Sequence, residues 1–154
     1  MNIYLENFVN TKFKKPGKAL DLGAGKFFNV ACLKQLGWKC EGVDKSTGVN
    51  LEKLYLSKNR PYDLVFSNYV LHFLKNKQKL FETAYRNLKK GGWFFLHTFD
   101  KSDKICKTGI NEKEIVKFFK KQDFKNISVK KFSFYDNNLG HKHWHRILEV
   151  TAQK

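Results

Sequence analysis

The sequence predicts an open α/β sheet in which strands alternate with helices, and three runs of residues predict it. The first, Lys18-Ala19-Leu20-Asp21-Leu22, passes through Gly23-Ala24-Gly25 into a helix-period pattern of Val30, Ala31, Leu33 and Leu36. The second, Lys39-Cys40-Glu41-Gly42-Val43, closes on an acid, Asp44. The third, Tyr62-Asp63-Leu64-Val65-Phe66-Ser67-Asn68, leads into Tyr69-Val70-Leu71-His72-Phe73-Leu74. A chain of 154 residues is expected to form one domain, 1–154, with a sizeable core.

In chain order, Ile3, Tyr4, Leu5, Phe8, Val9 and Phe13 suit a short amphipathic leader helix within residues 1–17, ended by Pro16-Gly17. At the end of the first strand Gly23 and Gly25 have no Cβ, so the backbone can turn sharply and pass close to a ligand. The helix that follows turns free N–H groups toward the same spot, the place where open α/β sheets bind nucleotide-like ligands. Asp44 lies about 20 residues beyond the glycines, where a carboxylate can accept hydrogen bonds from ribose hydroxyls. After the second strand, Lys45-Ser46-Thr47-Gly48 leads almost directly to Val49-Asn50-Leu51, read as a stunted third strand reached by a loop in place of a helix. Pro61 precedes the fourth strand, Tyr62 to Ser67. A helix over Asn76 to Lys90 presents Leu80, Phe81, Ala84, Tyr85 and Leu88, with Gly91-Gly92 as its cap. The fifth strand is Trp93 to Thr98. Asn111 is the expected N-cap of a helix over Glu112 to Lys121. Ile127 to Tyr135 and Lys142 to Ala152 read as two closing strands, with Asp136-Asn137-Asn138-Leu139-Gly140 as a hairpin turn.

The bulk numbers exclude several classes. A hydrophobic content of 42% with 15 Phe fits a globular chain rather than a disordered one. No apolar run approaches the roughly 20 residues of a membrane span, and the first ten residues lack a signal-peptide layout. Three cysteines, Cys32, Cys40 and Cys106, form no C-x-x-C and suggest a reducing, cytoplasmic setting without disulfides. The formal net charge of +16 invites an anionic partner such as RNA. Against that, the cations are nearly all lysines scattered along the chain, and only Arg60, Arg86 and Arg146 supply guanidinium groups.

As a set, these blocks resemble the class I S-adenosylmethionine-dependent methyltransferases over Lys18 to His97. Asp21-Leu22-Gly23-Ala24-Gly25 looks like that family's cofactor loop and Gly42-Val43-Asp44 like its ribose-binding acid. The run from Tyr62 through Leu74 resembles its fourth-strand block, and Asn87-Leu88-Lys89-Lys90-Gly91-Gly92-Trp93 its turn into strand five. The third glycine of a dinucleotide-binding turn is replaced by Phe27, a loss the family often tolerates because its ligand has no pyrophosphate. The resemblance implies a Rossmann-like, doubly wound sheet of order 3-2-1-4-5-7-6, mostly parallel with an antiparallel C-terminal hairpin. It implies S-adenosyl-L-methionine as cofactor, held by Asp21, Gly23, Ala24, Gly25, Asp44, Lys45, Asn50, Leu51, Ser67 and Asn68. Asn50 stands nearest to the family's adenine-facing acid, with Glu52 as its rival. The layout is closest to small-molecule methyltransferases, including the tellurite-resistance type, which also pass from strand five through a cysteine-bearing loop (here Lys104 to Gly109) into a helix.

Residues just beyond the fourth strand reach the space beside the transferred methyl, which nominates Asn68, Tyr69 and His72, with Tyr69 and His72 as the catalytic pair. An imidazole titrates near neutrality and can serve as a base, although a lone histidine in such an apolar stretch is more often structural, with one nitrogen satisfied. Ser67-Asn68-Tyr69-Val70 lacks the Asn/Asp-Pro-Pro-Tyr motif of base-modifying relatives. His141, His143 and His145 would share one face of a strand but span about 13 Å, too far for one ion to take all three, so no metal is expected. Substrate contact or hairpin packing are their other uses. A small-molecule methyltransferase is therefore the leading reading, ahead of an RNA methyltransferase and of a catalytically silent binding module.

Overall fold

The structure is a computed structural model, and it describes residues 1–137 and 142–154. Its elements run α1 (Ile3–Lys12), β1 (Lys18–Leu22), α2 (Phe28–Gln35), β2 (Lys39–Val43), β3 (Tyr62–Asn68), α3 (Gln78–Asn87), β4 (Leu88–Phe99), α4 (Glu112–Lys121), β5 (Lys125–Asp136) and β6 (His143–Gln153). The described residues form one six-stranded sheet of order β2-β1-β3-β4-β6-β5. β2, β1, β3 and β4 run parallel, whereas β6 is antiparallel to both β4 and β5. That is the expected order with one strand missing. Of the expected hairpin turn, Asn138, Leu139 and Gly140 lie outside the described residues, as does His141.

The parallel strands are apolar on both faces because helices cover both. On one face Leu5 and Val9 of α1 and Val30 and Leu33 of α2 pack with Ala19, Leu64, Phe66 and Phe95. On the other, Leu80, Phe81 and Ala84 of α3 and Ile115 and Phe119 of α4 pack with Leu20, Val65, Phe94 and Val150. Asn2 caps α1 by accepting from Tyr4 N (2.9 Å) and Leu5 N (3.2 Å). Asn111 caps α4 as expected, accepting from Glu114 N at 2.9 Å while the Glu114 carboxylate accepts from Asn111 N.

Two expectations are corrected. Val49–Leu51 forms no strand: the chain from Gly48 to Pro61 is a loop after a short 3-10 turn at Lys45–Thr47. Side chains satisfy its backbone in place of a neighbouring strand. Thr83 Oγ1 accepts from Tyr55 N (3.1 Å). Asn87 Oδ1 accepts from Ser57 N (2.8 Å), and its amide donates to Tyr55 O (2.8 Å). The Glu52 carboxylate accepts from Lys75 N (2.8 Å) and Asn76 N (2.7 Å), which holds it below the usual carboxylate range and steadies the entry to α3. The glycine pair, second, does not cap α3. That helix ends at Asn87, and Leu88 already pairs with Tyr62 of β3. Gly91, at φ +75°, and Gly92 lie within β4, where a Cβ on Gly92 would come within 3.0 Å of Tyr62 O and of Lys89 O. The register between β3 and β4 shifts there, so small residues serve an irregular ladder rather than a helix end.

Asn87 is completely buried, and its loss strands Ser57 N–H and Tyr55 C=O. Asn87→Ala is expected to lower unfolding free energy by about 2–4 kcal/mol, read from urea denaturation.

Candidate functional site

The site assembles at the carboxyl ends of β1, β3 and β4. Beyond β1 the chain turns at once, because Gly23 N (2.8 Å) and Ala24 N (3.0 Å) both donate to Val43 O at the end of β2. Gly23 holds φ +88°, and a Cβ there would sit 2.2 Å from Val70 Cγ2. Gly25, at φ +53°, differs: a Cβ there would meet nothing within 4 Å. Its side of the loop faces open space, as a close-approach glycine should. Phe27, in the third-glycine position, takes φ +60° and opens α2.

Asp44 follows β2 and sits over this loop. Its Oδ2 accepts from Gly25 N (3.2 Å) and its Oδ1 from Ser46 N (3.0 Å). The Ser46 hydrogen bond leads the contributions that hold this carboxyl below the usual range, so it is ionised at neutral pH. Lys45 is exposed on the same 3-10 turn. Asn50 is exposed and its Oδ1 accepts from Glu52 N (2.9 Å), whereas Leu51 is buried with Val43 and Leu71. Glu52, the rival of Asn50, has both carboxylate oxygens engaged at Lys75 and Asn76.

Asp21 is 1% exposed, and neither of its carboxylate oxygens has a hydrogen-bond partner. Burial, then the nearby Asp44 charge, push its pKa up to about 8. Other buried polar atoms without partners gather at the same strand ends: both polar atoms of the Asn68 side chain, His72 Nδ1 and Thr98 Oγ1. Buried polar groups are ordinarily paired, so these unpartnered atoms are candidate contacts for a polar ligand. Ser67 is no part of it, since its buried hydroxyl donates to Leu22 O at 2.7 Å and ties β3 to β1.

Tyr69 adopts φ +57° and donates its N–H to His97 O at 2.9 Å. Its ring lies 5.2 Å from Phe99, and burial pushes its hydroxyl pKa up, so it remains a protonated donor. His72 is half-buried, its ring 4.9 Å from Phe99, and burial followed by Lys77 lowers its pKa; its imidazole is neutral at pH 7. Next to these residues lies a cavity of about 500 Å³ whose walls include Asn2, Tyr4, Tyr69, Phe99, Phe134 and His145.

Sequence reasoning missed two buried pairs here. His97 of β4 bonds Glu149 of β6 at 3.0 Å through Nε2, and its Nδ1 meets Asn2 Nδ2 at 3.3 Å, which pins the start of α1 over the sheet. The two residues are cross-strand partners, so a lone acid and a lone histidine in apolar strands were the available signal. The second pair is Asp103 with His145, at 3.0 Å between Oδ2 and Nδ1. The histidine rings also converge more than strand spacing implies, with His143 Nε2 only 3.0 Å from His145 Nε2. Among the described residues no group of three or more His, Cys, Asp or Glu could hold a metal ion.

A mostly parallel sheet flanked by helices, with a glycine turn and an acid one strand over, is the frame of open α/β folds whose ligand crevices lie at the carboxyl ends of the strands. The methyltransferase-domain family model matches residues 4–147. The chain belongs to that methyltransferase-domain family. An uncharacterized protein of Methanocaldococcus jannaschii is 27% identical over 136 residues, and the chain spans only 65% of that relative's length while 82% of the chain is matched. Among solved structures, an S-adenosylmethionine-dependent methyltransferase of Mesorhizobium loti superimposes with a TM-score of 0.72 at 16% identity, covering 96% of each chain. TehB of Haemophilus influenzae gives 0.71 at 16% identity over 100% of this chain and 62% of its own. The 1,6-didemethyltoxoflavin-N1-methyltransferase of Burkholderia thailandensis gives 0.71 at 16% identity, covering 99% and 81%.

Asp21 yields a pH test. Its carboxyl ionises near 3.8 when unfolded and near 8 when folded, so the folded state holds the extra proton between those values and loses stability as pH rises through them. Asp21→Asn removes that dependence. By scanning calorimetry its Tm gain over the native protein is expected to be small at about pH 5 and several degrees at about pH 8.5.

Proposed function

We propose that the chain transfers the methyl group of S-adenosylmethionine to a small-molecule acceptor bound in the cavity beside Tyr69. The cavity carries this reading: its roughly 500 Å³ lies in the range of small-ligand sites, and the first residues of α1 close one side of it. When bound, the cofactor supplies a methyl carbon made electrophilic by a sulfonium, and the protein's task is placement and charge.

The residues present fit that ligand. Asp21 offers an unpaired, buried carboxyl to the ammonium of the methionine portion, and Gly25 leaves its side of the loop clear. Asp44, ionised and tied to the loop, accepts from the ribose hydroxyls. Gly23 and Ala24 shape the turn, and Lys45, Asn50 and Leu51 border the nucleoside end. Asn68, with its amide unpartnered, faces the reacting region together with Tyr69 and His72. A neutral His72 can accept a proton, and Tyr69 can donate a hydrogen bond to the acceptor. The Burkholderia protein was solved with 1,6-didemethyltoxoflavin and S-adenosylhomocysteine, so a similar fold accommodates a small heteroaromatic acceptor there. The net charge of +16 favours RNA as the second reading.

Calorimetry with S-adenosylhomocysteine is expected to show binding that Asp44→Ala weakens at least about tenfold, and unchanged affinity would remove the ribose assignment. At pH 7, binding is expected to release a proton as Asp21 ionises beside the ammonium, seen as an enthalpy that varies with buffer and ceases to vary in Asp21→Asn. Tritiated methyl transfer should enter the small-molecule fraction of a cell extract. Incorporation into RNA alone, falling steeply with salt, would instead establish the second reading.

A further inference from the structure

We propose that His145 takes the acceptor's proton during transfer, and that the acceptor is a flat aromatic or heteroaromatic molecule whose nucleophile is an O–H or N–H group. The inference rests on the methyltransferase reading of the same cavity and names what that cavity takes.

His145 lies on β6 at the cavity wall and is 8% exposed. Its orientation is set from behind. Asp103, from the loop after β4, has a fully buried carboxylate whose Oδ1 accepts from Ile105 N (2.9 Å) and Cys106 N (2.7 Å). Its Oδ2 accepts from Arg146 N (2.6 Å) and faces His145 Nδ1 at 3.0 Å. Hydrogen bonds from those backbone N–H groups and from His145 outweigh burial and hold the Asp103 carboxyl below its usual range. An ionised carboxylate only accepts, so His145 Nδ1 carries the hydrogen and, in the neutral ring, Nε2 carries the lone pair. His143 Nε2 stands 3.0 Å from that nitrogen and fills the place of a hydrogen-bond donor, so an acceptor's O–H or N–H takes that position by displacing the His143 ring. Among the described residues, the titratable groups around His145 are Asp103 behind it, His143 beside it on β6, Asp136 on β5 and Tyr69 beyond β3. His72, the other candidate base, has no carboxylate bonded to its ring among the described residues.

The walls select shape. The Phe99 ring lies 4.7 Å from His145, 5.2 Å from Tyr69 and 4.9 Å from His72, so three polar rings surround one apolar one. Phe134 pairs with His145 across the β5–β6 ladder, and Tyr4 closes the far side. Four aromatic faces favour a planar guest that stacks, with its polar edge turned to the imidazole. In the step itself the acceptor's proton passes to His145 Nε2 as its oxygen or nitrogen electron pair forms the bond to the methyl carbon. The carbon–sulfur bond breaks with its electrons going to sulfur, which leaves as a neutral thioether. Asp103 stays ionised opposite the imidazolium, and the proton then leaves to solvent.

The experiment compares 2-naphthol with 2-naphthalenethiol, which share a shape but differ in need, because a thiol ionises far more readily than a phenol. The native protein is expected to methylate both. In His145→Gln the naphthol-to-naphthalenethiol rate ratio should fall at least about 100-fold, in kcat rather than KM, with S-adenosylhomocysteine affinity and Tm retained. Asp103→Asn should lower the same ratio. In ¹⁵N spectra with S-adenosylhomocysteine bound, 2-naphthol should shift the His145 Nε2 resonance of the native protein. An equal loss with both probes, or an unchanged ratio, overturns the proton-accepting role. Bound S-adenosylhomocysteine with transfer to neither probe and no Nε2 shift overturns the acceptor class. Absence of S-adenosylhomocysteine binding fells the cofactor assignment beneath it.

Discussion

One backbone oxygen governs the site. Val43 O, at the end of β2, receives the N–H groups of both Gly23 and Ala24, so the chain leaving β1 bends over its neighbour instead of running on. That bend brings Gly25 N to Asp44 and leaves Asp21 sealed beneath with no partner. A side chain at Gly42 could not coexist with it, since a Cβ there would fall 2.7 Å from Ala24 Cβ and 2.9 Å from the Phe27 ring. The loop is thus fitted to the strand it crosses. A buried carboxyl that would be costly in an ordinary core is tolerated here because burial keeps it largely protonated at neutral pH.

The two halves of the crevice are built on different principles. Around the glycine turn, backbone N–H groups and short loops set the geometry, tied to the parallel strands. In the cavity beside Tyr69 the walls are side chains from widely separated segments: Tyr4 at the amino end, Tyr69 after β3, and Phe134 and His145 from β5 and β6. Asn2 links these regions, since it caps α1 and meets His97, which is anchored in turn by Glu149. The leader helix is therefore held at its start by the same sheet edge that carries the site, and it both packs against the core and closes the cavity.

Local patterns in the sequence carried most of the strands and helices and the glycine turn after β1, because each is decided by spacing within a few residues. β2 and α4 fall where the apolar periods and the Asn111 cap put them. The glycine pair Gly91-Gly92 misled because a helix cap and a bulged strand ask for the same small residue. Val49–Leu51 misled because three apolar-flanked residues cannot reveal that Thr83 and Asn87 will claim the neighbouring backbone. On the acceptor side, Asp103 and His145 stand 42 residues apart, and nothing local announces that a loop carboxylate will meet a strand imidazole. Pairings of that kind belong to topology.

The missing third strand also moves the boundary of the sheet. β2 becomes its outer rim, a place where unpaired peptide groups could recruit another chain and begin aggregation. The rim is only five residues long, with Lys39 exposed. The carboxylate of Glu41 bonds Tyr62 at 2.8 Å and Asn59 at 2.6 Å, drawing the long loop alongside. Shortening the crossover thus leaves a brief, lysine-tipped flank that the long loop partly covers, features that disfavour strand-to-strand association along β2.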